Sequence, residues 1–382
     1  MLLEKKHLEF REKIRAFCLE KIAPVAATLD EEQRFLEENM VPLTEMGLFA
    51  CLVPEKYGGR EIDTLSYIIS VEEASRVCGS TGITLAAHNS LGCYPIMKFG
   101  TEEQKQKYLP RAANGELLAF GLSEPDAGSD AGGTRTVALK KDDHWLMNGS
   151  KCWITSATRA FATLATAKTT DDPNDKAITC FIVEKDWDGY AVGKKENKLG
   201  LRGSDTAFLH FDDLKIPFEN QLGEIGEGFK LALITLDGGR LSIGAMALGL
   251  GQGALDIALK YAAERHQFGK PIVANQGIQH RLADMATEIQ AARLMIYEAC
   301  LMKDAGVPFS RQSAMCKLYA SEVATRTAAS ALTVLGAIGY LTGPYEAERI
   351  WRDVKLCEIG EGTSEIQRLV IARDMLKTMK TV

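Results

Sequence analysis

The sequence predicts an α+β fold whose parts follow in the order helical, sheet, helical. Helical periodicity runs through roughly the first 118 residues and returns in long segments after residue 228. Between them the chain becomes richer in Thr, Asp, Gly, Trp and β-branched residues, which favour strands and turns. We therefore expect an N-terminal helical domain over 1–118, a middle antiparallel β-barrel or sandwich over 119–228, and a C-terminal four-helix bundle over 229–382.

The N-terminal region carries the spacing and capping signals of short helices. Apolar side chains recur at helical spacing at Phe10, Ile14, Phe17 and Cys18. Pro24 is expected to end this run, because proline disrupts a helix interior. Further along, Thr101 is the expected N-cap of the segment EEQKQKYL.

The middle region has the sequence pattern of short strands. In HWLMNGSKCWIT, the pair Asn148-Gly149 stands between two apolar runs and predicts a β-hairpin. AITCFIVEK and TAFLHFDDLKIP predict further strands. No helical pattern separates these strands, so an antiparallel sheet or small barrel is favoured over a parallel sheet.

The C-terminal region predicts long amphipathic helices. One helix keeps an apolar face until Gly306 and Pro308, and that face consists of Ile278, Leu282, Met285, Ile289 and Ile296. A second helix is expected over 313–335, ending at Gly336. Apolar faces left over from such a bundle imply self-association. The glycine-rich GLGQG at 249–253 lies inside a helical run rather than after a strand, so we reject a dinucleotide-binding fingerprint.

Composition narrows the class of protein. The chain has 382 residues, of which 46% are hydrophobic and 25% are charged, as in soluble globular proteins of two or three domains. The net charge of -6 and the lack of a basic run disfavour a nucleic-acid surface. The richest apolar stretch, LSIGAMALGLGQGALDIAL, is interrupted by Gly, Gln and Asp, so we expect no membrane span.

The chain start and the cysteines indicate a cytoplasmic protein. MLLEKKHLEFREK is too charged for a signal peptide, and its glutamates argue against a transit peptide. The nine cysteines are odd in number and form no CxxC pair. We expect reduced core residues rather than a disulfide framework, and no metal site.

Glu361 stands between Gly360 and Gly362, just ahead of a predicted helix. Ser364 and Gln367 have the spacing of a capping box, and an apolar stripe follows at Ile366, Leu369, Val370 and Met375. One interpretation is a solvated acid that counters the helix dipole. The other is a carboxylate that the flexible glycines present to a ligand. The segment alone leaves both open.

Four segments together resemble the acyl-CoA dehydrogenase family over essentially the whole chain. They are LSEPDAGSD (122–130), KCWIT (151–155), ERHQFGKPI (264–272) and GEGTSEIQR (360–368). Each short match is weak by itself, but all four occur in the family's order and on the expected element types.

The resemblance implies an FAD-dependent enzyme that desaturates an acyl-CoA. In this family a carboxylate removes a proton from Cα while a hydride leaves Cβ for the flavin, which gives a trans-2-enoyl thioester. The resemblance assigns the carboxylate to Glu361, whose backbone N–H, with a ribityl hydroxyl of FAD, would stabilise charge on the thioester oxygen. It also places Ser129, Arg240, Gly360 and Gly362 around the substrate.

The resemblance assigns FAD contacts to three further segments. Phe120, Leu122 and Ser123 would line the flavin, with Ser129 near the flavin or the CoA arm. Trp153 would pack against the ring with Thr155 at its polar edge, because residues two apart on a strand share a face. The remaining contacts would come from Arg265, Gln267 and Phe268 of a neighbouring subunit and from Thr363 and Glu365.

Each of these assignments has a simpler alternative. The PDAGSD stretch could be a tight turn, Trp153 a core aromatic residue, and Arg265 a partner of a helix dipole. Glu358 and Glu365 flank Glu361, and we interpret them as surface or helix-start acids rather than as the base.

Three departures from the family pattern bear on the site. Some members carry their base immediately before the arginine of the segment LDGGRLSIG, where this chain has Gly239. Thr333 and Ala337 replace the Gln and Gly common in other members, so no flavin contact is assigned there. Gly360 replaces a frequently aromatic or apolar residue, which predicts room for α-branched or alicyclic acyl groups.

The implied partners are an acyl-CoA, an electron-transferring flavoprotein as acceptor, and further copies of the chain in a homotetramer built as a dimer of dimers. Two other classes stay open from sequence. One is a flavoprotein oxidase or monooxygenase on the same scaffold, and the other is a non-catalytic acyl-CoA or flavin-binding homologue.

Overall fold

The computed structural model describes residues 3–170 and 177–379, and it confirms the helical, sheet, helical order. The ends of the first and last predicted domains, at 1–2 and 380–382, lie outside the described residues. The N-terminal helices are α1 (Lys5–Phe17), α2 (Ala23–Glu31), α3 (Glu37–Glu45), α4 (Thr64–Val77), α5 (Gly79–Ala87), α6 (Tyr94–Phe99) and α7 (Glu102–Ala113).

The first helical run continues past Pro24, so the prediction that it ends there is wrong. A π-helical turn over Cys18–Ile22 joins α1 to α2, and Pro24 lies in the first turn of α2. The Ala23 N–H donates to the Cys18 carbonyl in the π-helical turn, which keeps the backbone helical up to the proline. The Thr101 cap is confirmed as a full capping box with Gln104.

The middle region forms one eight-stranded sheet. Its strands are β1 (Leu118–Gly121), β2 (Val137–Lys140), β3 (His144–Thr155), β4 (Ala162–Lys168), β5 (Ile178–Glu184), β6 (Tyr190–Val192), β7 (Thr206–Pro217) and β8 (Gln221–Leu222). The order is β6-β7-β3-β2-β4-β5-β8, with β1 beside β4. The pairings are antiparallel except that β1 and β2 run parallel to β4, which confirms a mainly antiparallel sheet.

Asn148-Gly149 does not form the predicted hairpin turn. Strand β3 runs through both residues, and its register with β7 shifts at this point. The Asn148 side chain pairs with Asp213 on β7, and a Cβ on Gly149 would lie 2.6 Å from the Thr136 hydroxyl oxygen. The glycine is therefore required by a β-bulge and a close neighbouring strand.

The C-terminal bundle follows the predicted helical periodicity. Its helices are α8 (Gly228–Glu264), α9 (Gln276–Asp304), α10 (Ser310–Leu335), α11 (Ala347–Ile359) and α12 (Ser364–Met379). A two-stranded hairpin, β9 (His266–Gln267) with β10 (Lys270–Pro271), separates α8 from α9. The apolar face predicted for α9 is buried at Leu282, Met285, Ile289 and Ile296. Helix α10 ends at Gly336 as predicted, where φ is +68°.

Helix α8 is the central helix of the protein. It is long and apolar enough to cross a membrane, but 78% of its most apolar window is buried inside the protein. The predicted helical setting of GLGQG is confirmed. A Cβ on Gly249 would lie 2.1 Å from the Glu72 carbonyl, and one on Gly253 would lie 2.4 Å from the Arg76 carbonyl. These glycines let α4 pack directly against α8.

The two helical regions share one hydrophobic core, to which α1, α4, α8, α9, α10 and α11 all contribute. The sheet has its own core around Trp145 and Phe181, and a third core joins α6 and α7 to β1, β4 and β5. All nine cysteines are buried and unpaired, so the prediction that they are core residues is confirmed. Residues on α8, α10 and the α11–α12 loop are thus held by a single packed unit.

Candidate active site

The loop between α11 and α12 holds Glu361 in a left-handed backbone conformation. Its φ is +54°, and the φ of Gly362 is +92°. Such a conformation costs a non-glycine residue of the order of 1–3 kcal/mol and persists only where surrounding contacts enforce it. The Gln367 amide donates to the carbonyls of Glu361 at 3.2 Å and Gly362 at 2.9 Å, and the Lys317 ammonium donates to Gly362 at 2.6 Å.

Helix α12 is capped one residue earlier than predicted. Thr363, not Ser364, is the N-cap, because its hydroxyl accepts a hydrogen bond from the Ile366 N–H at 3.3 Å. Gln367 turns back to the Glu361 loop instead of completing a capping box. The cap and the loop that carries the glutamate are therefore one hydrogen-bonded unit.

The Glu361 carboxylate points into the protein. Its Oε2 is buried and has no hydrogen-bond partner in the described part of the chain. A Cβ on Gly239 of α8 would lie 2.1 Å from this oxygen and 3.1 Å from Leu91. The interpretation of Glu361 as a solvated acid is therefore wrong, and Gly239 leaves the space that the carboxylate occupies.

Burial raises the pKa of Glu361 to about 7, although the positive charges of Lys317 and Arg240 oppose the shift. The protein's own helices bury the group, with Gly239 of α8 directly beside Oε2. A carboxyl group with a pKa near the working pH is suited to proton transfer, since it takes up and releases a proton readily.

Arg240 is the second charged group at this place. It is only 5% exposed and pairs with Asp237, whose carboxylate also accepts from the Ser310 hydroxyl at 2.8 Å. Burial lowers the pKa of Arg240 and raises that of Asp237. The Arg240 Nε has no hydrogen-bond partner among the described residues, so one donor is available beside Glu361.

The sheet brings a second set of predicted residues together. The Cys152 N–H donates to the Ser123 carbonyl at 2.9 Å, which joins the loop after β1 to the end of β3. Trp153 is 61% exposed, with φ at +60°, and its ring meets Phe208 edge-on at 5.2 Å. The alternative that Trp153 is a core residue is therefore wrong. Ile154 is buried while Thr155 is partly exposed, so Trp153 and Thr155 lie on the accessible face as predicted.

Phe120 and Leu122 are partly exposed, and Ser129 is exposed in the loop between β1 and β2. The hydroxyls of Ser123, Ser129 and Thr155 make no hydrogen bond to any other described residue. The tight turn suggested for PDAGSD is present as a bridge between Glu124 and Ala127. The PDAGSD segment can therefore form a tight turn and also face a ligand.

A buried ion pair beneath these loops was missed from sequence. Lys151 is 0% exposed, and its ammonium contacts Glu124 at 2.6 Å and the Leu122 carbonyl at 3.3 Å. The Lys151 charge and hydrogen bonds hold the pKa of Glu124 at about 2 despite burial. The pair ties the loop after β1 to the strand that carries Trp153.

The third set of residues lies outside the helix in which it was predicted. Helix α8 ends at Glu264, Arg265 follows as its C-cap, and Gln267 and Phe268 belong to the β9–β10 hairpin. All three are exposed, and Phe268 is 95% exposed with φ at +53°. No contact within the described chain covers this phenyl ring, which is unusual for a large apolar side chain.

Thr363 and Glu365 lie at the start of α12. The Thr363 hydroxyl is engaged in the helix cap, and Glu365 is exposed, with a pKa lowered by hydrogen bonds from its own backbone and from Thr363. This geometry matches the helix-start interpretation of Glu365.

Sequence reasoning also missed Lys317 and Asp237. Lys317 occupies the buried face of α10, in line with Ser313, Ala314, Ala320 and Ser321. A lysine on a face of small residues was the available signal, since lysine is almost never fully buried without a partner. Among the described residues, no group of three His, Cys, Asp or Glu is placed to hold a metal ion.

The fold and the site define an α+β enzyme with a candidate general base buried between the helices of a bundle. Models of the acyl-CoA dehydrogenase N-terminal, middle and C-terminal domains match residues 4–116, 119–214 and 226–376. The chain belongs to the acyl-CoA dehydrogenase family, and it is an oxidoreductase.

Two curated relatives extend over nearly the whole chain. The chain is 48% identical over 377 residues to the probable acyl-CoA dehydrogenase YngJ of Bacillus subtilis (strain 168), covering 98% of this chain and 99% of that protein. It is 46% identical over 380 residues to the mitochondrial short-chain specific acyl-CoA dehydrogenase of Rattus norvegicus, covering 99% and 92%.

Solved structures show the same likeness. Butyryl-CoA dehydrogenase from Megasphaera elsdenii has a TM-score of 0.95 at 41% identity, covering 98% of this chain and 99% of that one. An acyl-CoA dehydrogenase complexed with FAD from Bacillus anthracis has a TM-score of 0.93 at 32% identity, covering 99% of this chain and 68% of that one.

Proposed function

We propose that the protein is an FAD-dependent acyl-CoA dehydrogenase that introduces a double bond between Cα and Cβ of a short acyl-CoA, with Glu361 as the base. The observation that carries this proposal is the buried Glu361 oxygen, which has no hydrogen-bond partner in the described chain and a pKa near neutrality. The curated relative from rat and the structure from Megasphaera elsdenii, named for short-chain and butyryl substrates, support the chain length.

The chain's own residues have three tasks in this reaction. Glu361 Oε2 takes the proton from Cα, and the left-handed backbone at Glu361 keeps the carboxylate and the N–H of the same residue in a fixed relation. That N–H is aimed at the thioester oxygen, where charge develops as the proton leaves. Burial between α8 and α10 keeps water from the carboxylate and so maintains its basicity.

FAD supplies the hydride acceptor for Cβ when it is bound. The sheet offers suitable groups for it: an accessible indole at Trp153, and the hydroxyls of Ser123 and Thr155, which are free of other described residues. The name of the structure from Bacillus anthracis, a complex with FAD, supports the same cofactor. We include Phe120, Leu122, Ser129, Thr363 and Glu365 in the proposed cofactor and substrate surroundings.

The proposed FAD site is shared between subunits. Arg265, Gln267 and Phe268 project into solvent from the β9–β10 hairpin, where a neighbouring subunit's FAD would cover them. Further apolar side chains are exposed on α11, α12 and the segment before α11, among them Tyr340, Leu341, Ile359, Leu376 and Met379. We propose a homotetramer, which sedimentation analysis would test. A monomer that retains FAD would contradict it.

We further propose that α-branched or alicyclic acyl groups are accepted. Gly360 has φ at -69°, and a Cβ there would meet Leu356 at an ordinary 3.5 Å, so the backbone does not require glycine. Its small size is therefore available for substrate selection. Rates with butyryl-CoA and with α-branched or alicyclic thioesters would test this, beside Gly360→Leu. Loss confined to the bulkier substrates in Gly360→Leu supports the proposal, and a wild type restricted to straight chains contradicts it.

An electron-transferring flavoprotein is the proposed acceptor, and the cytoplasm the proposed location. An oxidase or monooxygenase would instead be reoxidised rapidly by O2, so stopped-flow reoxidation by each acceptor separates these classes. The proposed domain limits, 1–118, 119–228 and 229–382, would be tested by limited proteolysis near the two junctions.

The reaction itself is tested by product analysis. Purified protein incubated with butyryl-CoA and an artificial electron acceptor should yield a thioester lighter by two hydrogens, with a trans-2 double bond by NMR. An unchanged thioester, in a protein that carries FAD, would overturn the proposed reaction.

A further inference from the structure

Lys317 is a fully buried lysine without a carboxylate partner. It is 0% exposed on α10, and no Asp or Glu of the described chain forms an ion pair with it. The hydrogen bond it donates, at 2.6 Å, goes to the carbonyl of Gly362, next to Glu361. Buried lysines are almost always paired, because an uncompensated charge in the protein interior is costly. The Lys317 position therefore needs an explanation.

Lys317 and the candidate base, Glu361, lie in the same buried surroundings. Burial lowers the pKa of Lys317 to about 8, and the nearby negative charge of Glu361 works against this shift. Conversely, two positive charges oppose the raised pKa of Glu361, and the charge of Lys317 has the larger effect. The two groups therefore influence each other's ionisation.

We propose, on the basis of the proposed function, that Lys317 is a positioning residue for Glu361. Its ammonium fixes the Gly362 carbonyl and thereby the left-handed loop, and its positive charge favours the ionised, proton-accepting form of the Glu361 carboxylate. The lysine touches neither substrate nor cofactor in this role. It acts through the base.

Other groups around Glu361 do not replace this charge. Arg240 on α8 is already paired with Asp237, and Glu358 on α11 is paired with Lys355. Tyr67 on α4 is hydrogen-bonded to Ser242 at 3.0 Å and is neutral. The titratable and charged groups around this place include Arg240 and Asp237 from α8, Cys357 and Glu358 from α11, Glu365 from α12, Tyr67 from α4, and Lys303 from α9, which faces Gly238.

Three variants of the holoenzyme separate the effect of the Lys317 charge from the effect of the hydrogen bonds that hold the loop. Lys317→Gln removes the charge but keeps a hydrogen-bond donor, and Lys317→Met removes both. Gln367→Met removes the two hydrogen bonds from Gln367 to the loop and leaves every nearby charge in place. Lys355→Gln is the control variant, because it removes the charge of an exposed lysine of α11 that pairs with Glu358.

The first measurement is the pH profile of kcat/KM. Both Lys317→Gln and Lys317→Met should move the acidic limb upward by roughly one pH unit, as expected when a nearby opposite charge is lost. Lys317→Met should also lower the plateau rate, while Gln367→Met should lower the plateau without moving the limb. A limb that stays in place in both Lys317 variants would overturn the proposal, and so would a limb that moves equally in Lys355→Gln.

The second measurement does not depend on turnover. The melting temperature of each protein is compared with that of its Glu361→Gln version from pH 5 to pH 9, so that the difference reports the ionisation of Glu361. In Lys317→Gln and Lys317→Met, the pH at which this difference in melting temperature changes should rise by roughly one unit, as for the acidic limb. If no acyl-CoA is a substrate, the proposed function is wrong. The melting temperatures would still measure the effect of Lys317 on the ionisation of Glu361.

Lys317→Arg keeps the charge and provides a check where the neutral variants fold poorly. It should retain the wild-type acidic limb and melting transition. An arginine variant that folds but shows an upward displacement as large as that expected for the neutral variants would contradict the role of the charge.

Discussion

The carboxylate of Glu361 occupies the space that a side chain at Gly239 would enter. A Cβ on Gly239 would lie 2.1 Å from Oε2, much closer than a carbon and a non-bonded oxygen can approach. The glycine on α8 leaves room for the glutamate on the α11–α12 loop. The two positions therefore exclude each other sterically.

Gly239→Ala should displace the Glu361 carboxylate and lower kcat/KM by about 100-fold, since misplacement by about 1 Å can cost that much. Gly238→Ala is the matched control, because its Cβ would meet only the Lys303 ammonium, at 3.7 Å. Both changes add the same helix-favouring methyl group to α8. Steady-state kinetics with butyryl-CoA would measure the difference. Equal rates in the two variants would mean that the contact with Gly239 does not control the base.

Glu361 should make the fold less stable as the pH rises. Its pKa is about 7 in the folded protein against an ordinary 4.5, so the penalty for ionising it is absent below about pH 4.5 and complete above about pH 7. The shift corresponds to about 3 kcal/mol at most. Glu361→Gln lacks this penalty, so its melting temperature relative to wild type should be higher at pH 8 than at pH 5. A difference that is constant with pH would contradict the raised pKa.

Lys151 and Glu124 should be strongly coupled in stability. Lys151→Met leaves a buried carboxylate without its partner, which is expected to lower the free energy of unfolding by about 3–5 kcal/mol. Adding Glu124→Gln should recover part of that loss. Denaturant unfolding of both single variants and the double variant measures the coupling, and additive losses would show that the ion pair does not hold these loops together.

Phe268→Ala should weaken FAD binding without destabilising the subunit. The ring is 95% exposed, so little packing against the described part of its own chain would be lost. We expect the dissociation constant of FAD to rise about tenfold, equivalent to about 1.4 kcal/mol. Val41→Ala, at an apolar side chain that is 65% exposed on α3, is the control. FAD fluorescence during dilution would measure both, and unchanged retention in Phe268→Ala would remove the ring from the cofactor site.

Regular elements could be predicted from sequence because their signals are local. The α9 face, the Gly336 stop and the Thr101 cap each depend on residues within a few positions of one another, and all three are confirmed. The four family segments likewise gave the fold and the identity of the candidate base without any knowledge of contacts.

The features that sequence missed depend on distant neighbours. Asn148-Gly149 forms a bulge rather than a turn because β7 and Thr136 pack against it. Lys317 and Gly362 are 45 residues apart in the chain, and their contact exists only once the bundle is assembled. The positive φ values at Trp153, Phe268 and Glu361 are likewise invisible to composition.

An anaerobic titration followed by visible spectroscopy tests the central claim, that Glu361 is the base of an acyl-CoA dehydrogenase, most directly. The purified holoenzyme would be titrated with butyryl-CoA, with an α-branched and an alicyclic acyl-CoA, and beside it Glu361→Gln and the control Glu358→Gln. We expect the flavin band to bleach in the wild type and in Glu358→Gln, and bleaching to slow by about 10²–10⁴-fold in Glu361→Gln. A Glu361→Gln protein that binds FAD and bleaches at the wild-type rate would contradict it.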